Sequence, residues 1–264
     1  MTAPIRIISA DDPRIAAYAS IREKDLTRGH GGRFIVEGKV TLETLIRRSA
    51  YQPESLFLSE TRVDPLAPLL ADVPDEVPIY VAPQKVMDRI AGFPIHRGVL
   101  ACAKKPATPD LSSLLATAKT VLVLIGLSNH DNVGGCFRNA AAFGADLILL
   151  DDGSCDPFYR KSIRVSAGTV LSVPFHHGTP APALLQAISD AGLDIWCLTP
   201  RANAVPIADL ERPDRLALVL GAEGPGLSEN LISQGTAIRI PMVAGFDSLN
   251  VATAGAIALN HVFM

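Results

Sequence analysis

The sequence predicts an α/β protein with a parallel sheet in its C-terminal part and a smaller α/β domain before it. After residue 118, six short runs rich in Val, Ile and Leu occur, and alanine-rich helical stretches separate several of them. Strands that alternate with helices in this way are typical of a parallel sheet. The chain has 264 residues, 48% hydrophobic and 19% charged, so it is long enough for two domains and too apolar to be disordered.

The first hundred residues alternate helical and extended patterns. We expect helices near 12–26 and 40–48. Four strand-like runs occupy 34–38, 55–58, 78–81 and 98–102. The polar segment 104–110 contains two prolines and predicts a linker, because proline biases the preceding residue toward an extended backbone. The predicted organisation is therefore a domain at 1–103, a linker at 104–117 and a second domain at 118–264.

The second domain is more regular than the first. Residues 120–125 form a continuous run of β-branched residues and leucine, as in a strand buried on both faces. Five further strands are expected at 146–150, 170–173, 194–198, 216–220 and 237–240. Helices are expected at 134–143, 182–191 and 249–262. Parallel α/β sheets bind ligands at the carboxyl ends of their strands, so the loops that follow these strands are the candidate functional segments.

Three of these loops are rich in glycine or in polar residues. After the first strand, 129–132 favours a helix start, because Asn and Asp side chains bond to nearby backbone N–H groups. Arg138 then lies near the end of that helix that attracts anions, although an ordinary helix cap followed by a surface arginine is the favoured explanation for this loop in isolation. After the fifth strand, Glu223 lies among three glycines and a proline at 221–226. After the sixth strand, the segment 240–250 leads into the last helix.

The order and content of these loops resemble the three motifs of the SpoU/TrmH RNA methyltransferases, which belong to the SPOUT superfamily. The motifs read Asn132-x-Gly134-x3-Arg138-Asn139-Ala140, Leu220-Gly221-x-Glu223-Gly224-x-Gly226, and Ile240-Pro241-Met242 followed by Ser248-Leu249-Asn250-Val251-Ala252. The resemblance extends from about residue 120 to the C-terminus. More loosely, 34–38 and 96–99 resemble the N-terminal domain of the ribosomal-RNA branch of that family, which is similar to ribosomal protein L30e and binds RNA.

The resemblance implies a fold and a reaction that the spacing of apolar residues does not give. The parallel-sheet domain would contain a deep trefoil knot, and its knot helices would form a homodimer in which both subunits contribute to each active site. S-adenosylmethionine would bind in a bent form among the three loops. The reaction would be methyl transfer to a ribose 2′-hydroxyl of RNA, with ribosomal RNA favoured over transfer RNA. A cytoplasmic location is expected.

Site residues follow from the match to the motifs. The implied catalytic residues are Asn132, Arg138, Glu223, Ser248 and Asn250. The implied cofactor-binding residues are Thr199, Gly221, Glu223, Gly226, Ile240, Met242, Leu249 and Asn250. The implied RNA contacts are Arg22, Lys24, Arg28, Arg33 and Arg138. A guanidinium with a pKa above about 12 does not deprotonate in proteins, so we expect Arg138 to hold a phosphate and stabilise the developing alkoxide rather than act as a base.

Charge and composition narrow the function classes. The net charge of −3 argues mildly against a nucleic-acid partner, but residues 1–50 carry nine Lys and Arg against six Asp and Glu, a local excess of +3. No apolar run reaches the roughly 18 residues that span a bilayer. The four cysteines form no CxxC pair, which favours reduced thiols. No metal site is expected, since the pair at 176–177 has no carboxylate or thiol at ligand spacing.

Three other functions stay open. A transfer-RNA 2′-O-methyltransferase would share the same motifs. A NAD-dependent oxidoreductase on a doubly wound sheet is disfavoured, because the glycine loop 221–226 does not have the G-x-G-x-x-G order of the dinucleotide fingerprint. A catalytically inactive RNA-binding assembly factor is disfavoured by the intact Asn132, Arg138, Glu223 and Asn250.

Overall fold

The computed structural model of the chain describes residues 3–19, 32–92, 95, 97–243 and 245–263. The strands are β1 (Ile5–Arg6), β2 (Arg33–Glu37), β3 (Pro53–Ser59), β4 (Ile79–Ala82), β5 (Val99–Lys104), β6 (Thr120–Ile125), β7 (Leu147–Leu150), β8 (Phe175–His177), β9 (Asp194–Leu198), β10 (Val205–Pro206), β11 (Leu216–Gly221) and β12 (Thr236–Arg239). The α-helices are α1 (Lys39–Arg47), α2 (Val63–Leu70), α3 (Gln84–Ala91), α4 (Leu111–Thr117), α5 (His130–Ala142), α6 (Arg160–Val165), α7 (Ala181–Asp190), α8 (Glu229–Ile232) and α9 (Val251–Phe263). The 3-10 helices are Pro13–Tyr18, Glu60–Arg62, Thr169–Leu171 and Ile207–Asp209.

The chain divides into two units by its internal contacts. Unit 1 comprises Met1–Pro106 and Phe158–Ser172, and unit 2 comprises Ala107–Pro157 and Val173–Met264. The segment 158–172 follows a strand of the C-terminal sheet in sequence but packs within unit 1. None of the helices in the described part of the chain combines the length and the apolarity that crossing a bilayer requires.

Unit 1 is built on a five-stranded mixed sheet in the order β1-β4-β3-β5-β2. The β1–β4 and β3–β4 pairs are parallel, whereas β5 runs antiparallel to both β2 and β3. The small α/β domain expected from the sequence is therefore present. Of the helix expected at 12–26, a 3-10 helix at Pro13–Tyr18 is observed, and Asp12 caps it by accepting from the Arg14 N–H. Residues 20–31 lie outside the described part of the chain.

Three contacts hold 158–172 in unit 1. Phe158 stacks on Phe34, with ring centroids 4.7 Å apart. The Arg160 guanidinium pairs with the carboxylate of Glu37, and both side chains are largely buried. Gly168 has a φ of +90° and packs on α1, where an added Cβ would lie 2.9 Å from the Thr44 hydroxyl oxygen.

Unit 2 contains the expected parallel sheet. Its seven strands are arranged β10-β12-β9-β11-β6-β7-β8, and every pair is parallel. The strands predicted at 120–125 and 194–198 are observed with the same bounds. All six residues of β6 are buried, as its unbroken apolar sequence requires. The neighbours β11, β9 and β12 place the loops that follow them at one edge of the sheet.

The strand predicted at 170–173 is wrong. These residues form the 3-10 helix Thr169–Leu171 and the turn after it, whereas the strand of this region is β8. Gly168 adopts a left-handed backbone immediately before the run and directs it into a tight turn. Val170 and Leu171 are buried, so the apolar signal arises from burial and not from sheet pairing.

Candidate active site

Three loops and the start of α9 line one cleft at the carboxyl ends of β9, β11 and β12. The cleft is open to solvent and holds about 720 Å³ of empty space, its mouth included. Its lining residues are Leu198, Thr199, Pro200, Leu220, Gly221, Ala222, Glu223, Gly224, Gly226, Ile240, Met242, Ser248, Leu249, Val251 and Ala254. The Thr199 N–H donates to the Ile238 carbonyl (2.9 Å), which ties the β9 loop to β12.

The glycine loop after β11 folds back on itself. The Gly226 N–H donates to the Ala222 carbonyl (3.1 Å), and the two residues form a β-bridge. At Gly221 an added Cβ would lie 2.7 Å from the Gly226 carbonyl carbon, so a larger residue would force the turn open. The turn leaves Glu223 exposed at the cleft.

Asn250 joins the three segments that carry the motifs. Its side-chain amide donates to the Asn132 side-chain oxygen and to Glu223 Oε1, both at 2.9 Å. Its own oxygen accepts from the backbone N–H groups of Ala252 (3.0 Å) and Thr253 (3.3 Å). Asn250 therefore caps α9 and holds α5 and the glycine loop next to it.

Helix α5 packs closely against α9. Asn129 caps α5 by accepting from the Asp131 N–H (2.8 Å). The Asn139 side chain donates to the Ala252 carbonyl (2.7 Å), and an added Cβ on Gly135 would lie 2.9 Å from the Cβ of Ala252. Gly135 therefore allows α5 and α9 to approach closely. Asn132, only 7% exposed, is held at this interface.

Arg138 has a different environment from the other predicted catalytic residues. It is exposed, does not line the cleft, and has no hydrogen-bond or ion-pair partner within the described chain. Arg138 and Asn132 are six residues apart on α5, which at about 100° per residue separates their directions by roughly a third of a turn. The cluster Asn132, Glu223 and Asn250 therefore forms without Arg138.

Most of the predicted cofactor-binding residues lie together. Seven of the eight line the cleft: Thr199, Gly221, Glu223, Gly226, Ile240, Met242 and Leu249. The eighth, Asn250, contacts it through Glu223. Ser248, predicted as catalytic, also lines the cleft.

Of the predicted RNA contacts, Arg33 is paired within the protein. Its guanidinium binds the carboxylate of Glu54, which also lies 3.8 Å from the Lys104 ammonium. Arg33 would have to share its guanidinium between Glu54 and a phosphate, and its RNA contact stays a prediction. Arg22, Lys24 and Arg28 lie outside the described residues.

One polar network beside the loop between β6 and α5 involves residues that were not among the predicted site residues. The Asp151 carboxylate accepts from the Gly126 N–H (2.9 Å) and from the Ser154 hydroxyl (2.6 Å), and the Ser154 oxygen accepts from the Leu127 N–H (3.0 Å). These bonds fix the loop between β6 and α5. The run of short polar residues at 151–154, directly after the second predicted strand of this sheet, could have indicated this network.

The described residues contain no group of three or more His, Cys, Asp and Glu side chains arranged to hold a metal ion. The ring of His176 contacts the Pro109 carbonyl and the Thr179 hydroxyl, and that of His177 contacts the Ser154 carbonyl. Both histidines therefore bond to neighbouring loops at the end of β8.

Comparison with known proteins identifies the family. The SpoU rRNA Methylase family model matches residues 119–260. A Mycobacterium tuberculosis protein named as an uncharacterized tRNA/rRNA methyltransferase is 36% identical over 260 residues, which cover 96% of this chain and 89% of the relative. A 23S rRNA (guanosine-2′-O-)-methyltransferase of Shewanella oneidensis is 31% identical over 85% of this chain and 94% of its own length.

A solved structure agrees in fold. The AdoMet-bound rRNA methyltransferase of Sinorhizobium meliloti superposes with a TM-score of 0.81 and covers 98% of this chain, and 97% of that chain is matched. Its sequence identity of 22% limits this comparison to the fold. The family match and the mycobacterial relative confirm the resemblance drawn from the three motifs, and the chain belongs to the SpoU rRNA methylase family.

Proposed function

We propose that the protein transfers a methyl group from S-adenosylmethionine to a ribose 2′-hydroxyl of structured RNA, with ribosomal RNA as the substrate. The observation that carries the proposal is the charge of the cleft. Glu223 is the one ionisable side chain among its described lining residues, and no Lys or Arg lines it. A lone carboxylate suits a cofactor that carries a positive sulfonium, whereas the diphosphate of NAD would meet no cation.

The remaining lining fits a nucleoside. Leu198, Leu220 and Ile240 supply apolar surface for a flat base, and the strand-end glycines bring backbone N–H and C=O groups to the cleft without side chains in between. The bound cofactor supplies an electrophilic methyl group. It would be held by the predicted cofactor-binding residues that line the cleft: Thr199, Gly221, Gly226, Ile240, Met242 and Leu249. Asn250 would hold Glu223 next to the start of α9.

The chain's part in catalysis is to position groups and stabilise charge. Arg138 binds a phosphate beside the target ribose and stabilises the alkoxide that develops on the 2′-oxygen, whose proton passes to that phosphate or to solvent. Since Arg138 is turned away from its own Asn132 cluster, this role fits a homodimer in which Arg138 of one subunit serves the cleft of the other. Positioning of reactants is worth up to about 7–11 kcal/mol in well-oriented systems.

The exposed apolar residues of unit 2 support a homodimer through the C-terminal helix. On α9, Ile257 is 41% exposed and Phe263 is 64% exposed, and Phe246 in the preceding loop is 58% exposed. Sedimentation equilibrium tests the dimer, which is expected to persist at micromolar concentration.

In the same proposal the C-terminal segment is threaded as a trefoil knot. Unit 1 is an L30e-like domain that binds RNA, and the protein acts in the cytoplasm.

The function is tested by methyl transfer. Purified protein with tritiated S-adenosylmethionine should label ribosomal RNA from cells that lack the gene, and mapping of 2′-O-methyl groups should find one that depends on the gene. Transfer RNA as the only labelled species would change the substrate class, and binding of NAD but not S-adenosylmethionine in calorimetry would refute the reaction. Arg138→Ala should abolish labelling, and Arg138→Lys, which keeps the charge but loses the bidentate fork, should retain part of it.

A further inference from the structure

Three basic side chains from separate connections converge at one edge of the unit 1 sheet. Strands β2 and β3 end at this edge and the antiparallel β5 begins there. Lys39 opens α1 after β2, Arg62 ends the 3-10 turn after β3, and Arg97 precedes β5. Together with four apolar residues these cations line a groove that is open to solvent and holds about 620 Å³ of empty space, its mouth included. The apolar residues are Val40, Pro65, Leu66 and Val99.

Two glycines shape the backbone around Arg97. Gly38 has a φ of +100°, and a Cβ there would lie 3.0 Å from an Nη atom of Arg97, so the guanidinium rests on bare backbone. Gly98 has a φ of +59°, and a Cβ there would lie 2.5 Å from the Ser59 hydroxyl oxygen. The Ser59 N–H donates to the Gly98 carbonyl (2.9 Å), which fixes the residue that follows Arg97 against the end of β3.

The charged side chains that line the described groove are all cations. Within the residues that the structure describes, Lys39, Arg62 and Arg97 form no ion pair, and no acidic side chain lines the groove. All three are exposed. Arg33 and Arg47 of the same unit differ in this respect, because they pair with Glu54 and Asp72. Clustered like charges repel one another, so an anion in the groove is favoured.

We propose that this groove, formed by Lys39, Arg62 and Arg97, binds the sugar–phosphate backbone of the RNA substrate. The inference rests on the proposed function and gives unit 1 a defined RNA contact. The three cations bind phosphates, and phosphate contacts set the position of an RNA without reading its sequence. Val40, which is 57% exposed beside them, offers apolar surface to a ribose or to an unpaired base.

The experiment compares two double variants of the full-length protein with equal loss of charge. Arg62→Gln/Arg97→Gln changes the groove, whereas Arg14→Gln/Arg47→Gln removes two exposed arginines that already pair with Asp12 and Asp72. Binding of total ribosomal RNA is measured against salt concentration. Each lost phosphate contact removes about 0.7 from the slope of log K against log salt, so two contacts correspond to about a tenfold weaker affinity near 0.15 M salt.

The groove variant should show that loss, a raised KM for RNA, and an unchanged kcat and S-adenosylmethionine affinity, while the control keeps the wild-type slope. Lys39→Gln alone should lower the slope by about one contact. Equal losses in both double variants, or a wild-type slope in the groove variant, would overturn the inference. Wild-type methyl transfer is measured in the same assay: if the wild type transfers no methyl group, the proposed function fails, whatever the binding data show.

Discussion

Asn250 is the residue through which the motif segments are joined, and its replacement by alanine should cost stability in unit 2. The variant loses the cap of α9, worth about 1 kcal/mol, and leaves the buried Asn132 oxygen without its donor, worth about 1–3 kcal/mol. The expected loss is about 2–4 kcal/mol, or roughly 5–10 °C in Tm for a unit of this size.

Urea unfolding followed by the fluorescence of Trp196 measures this loss directly. Trp196 is the single tryptophan of the chain, and it is buried in β9 of the same unit. Asn230→Ala is the matched control, because that exposed side chain has no hydrogen-bond partner within the described residues. An Asn250→Ala variant with the unfolding midpoint of the control would refute the assignment of these bonds.

Asn250→Asp separates the cap from the link to the glycine loop. A carboxylate keeps the cap and is favoured at a helix N-terminus, so the cap's share of about 1 kcal/mol should remain. It has no N–H for Asn132 or for Glu223, and it adds a like charge beside Glu223. We therefore expect an unfolding midpoint between those of Asn250→Ala and the wild type, together with weakened binding of S-adenosylmethionine in calorimetry. Wild-type binding by this variant would show that the link does not shape the cleft.

Three further predictions concern the packing of unit 2. Gly135→Val should lower the free energy of unfolding by about 1–3 kcal/mol, because no space exists between this position and Ala252; an unchanged urea midpoint would contradict the close helix contact. Arg215→Ala should cost about 2–3 kcal/mol in the same assay, since its guanidinium donates to three backbone carbonyls, at Leu115, Ala118 and Ala191. Burial raises the pKa of the Cys136 thiol to about 12, which favours the neutral form. The contribution of Cys136 to stability is therefore complete below about pH 8.5 and falls toward pH 12 by up to about 1.4 kcal/mol per pH unit. Because burial also raises the pKa of Cys102, Cys155 and Cys197, Cys136→Ala should reduce this pH dependence without abolishing it.

The parallel sheet was predictable because each of its central strands is buried on both faces. Such a strand must be apolar throughout, and β6 and β11 are therefore visible as continuous runs. The short helices α2, α3, α4, α6 and α8 were not predicted. Helix α2 illustrates the reason, since Pro68 within it reads as a helix breaker and its eight residues leave too few turns for a clear period.

The candidate site was predictable in its membership but not in its geometry. The motif residues could be named from the sequence, and most of the predicted cofactor ligands do line one cleft. No local pattern indicates that Asn250 bonds to Asn132 across 118 positions, because that contact depends on the packing of α5 and α9. Nor does the sequence reveal that Arg33 is neutralised by Glu54, which needs the pairing of β2, β5 and β3.

The return of 158–172 to unit 1 restricts how the gene can be divided. The polypeptide passes from one unit to the other three times, near residues 106, 157 and 172. A fragment that stops in the proline-rich linker would expose the faces of Phe34 and Thr44 and leave Glu37 buried without Arg160. Chimeras that exchange unit 1 between relatives therefore need to transplant this internal segment together with the N-terminal hundred residues.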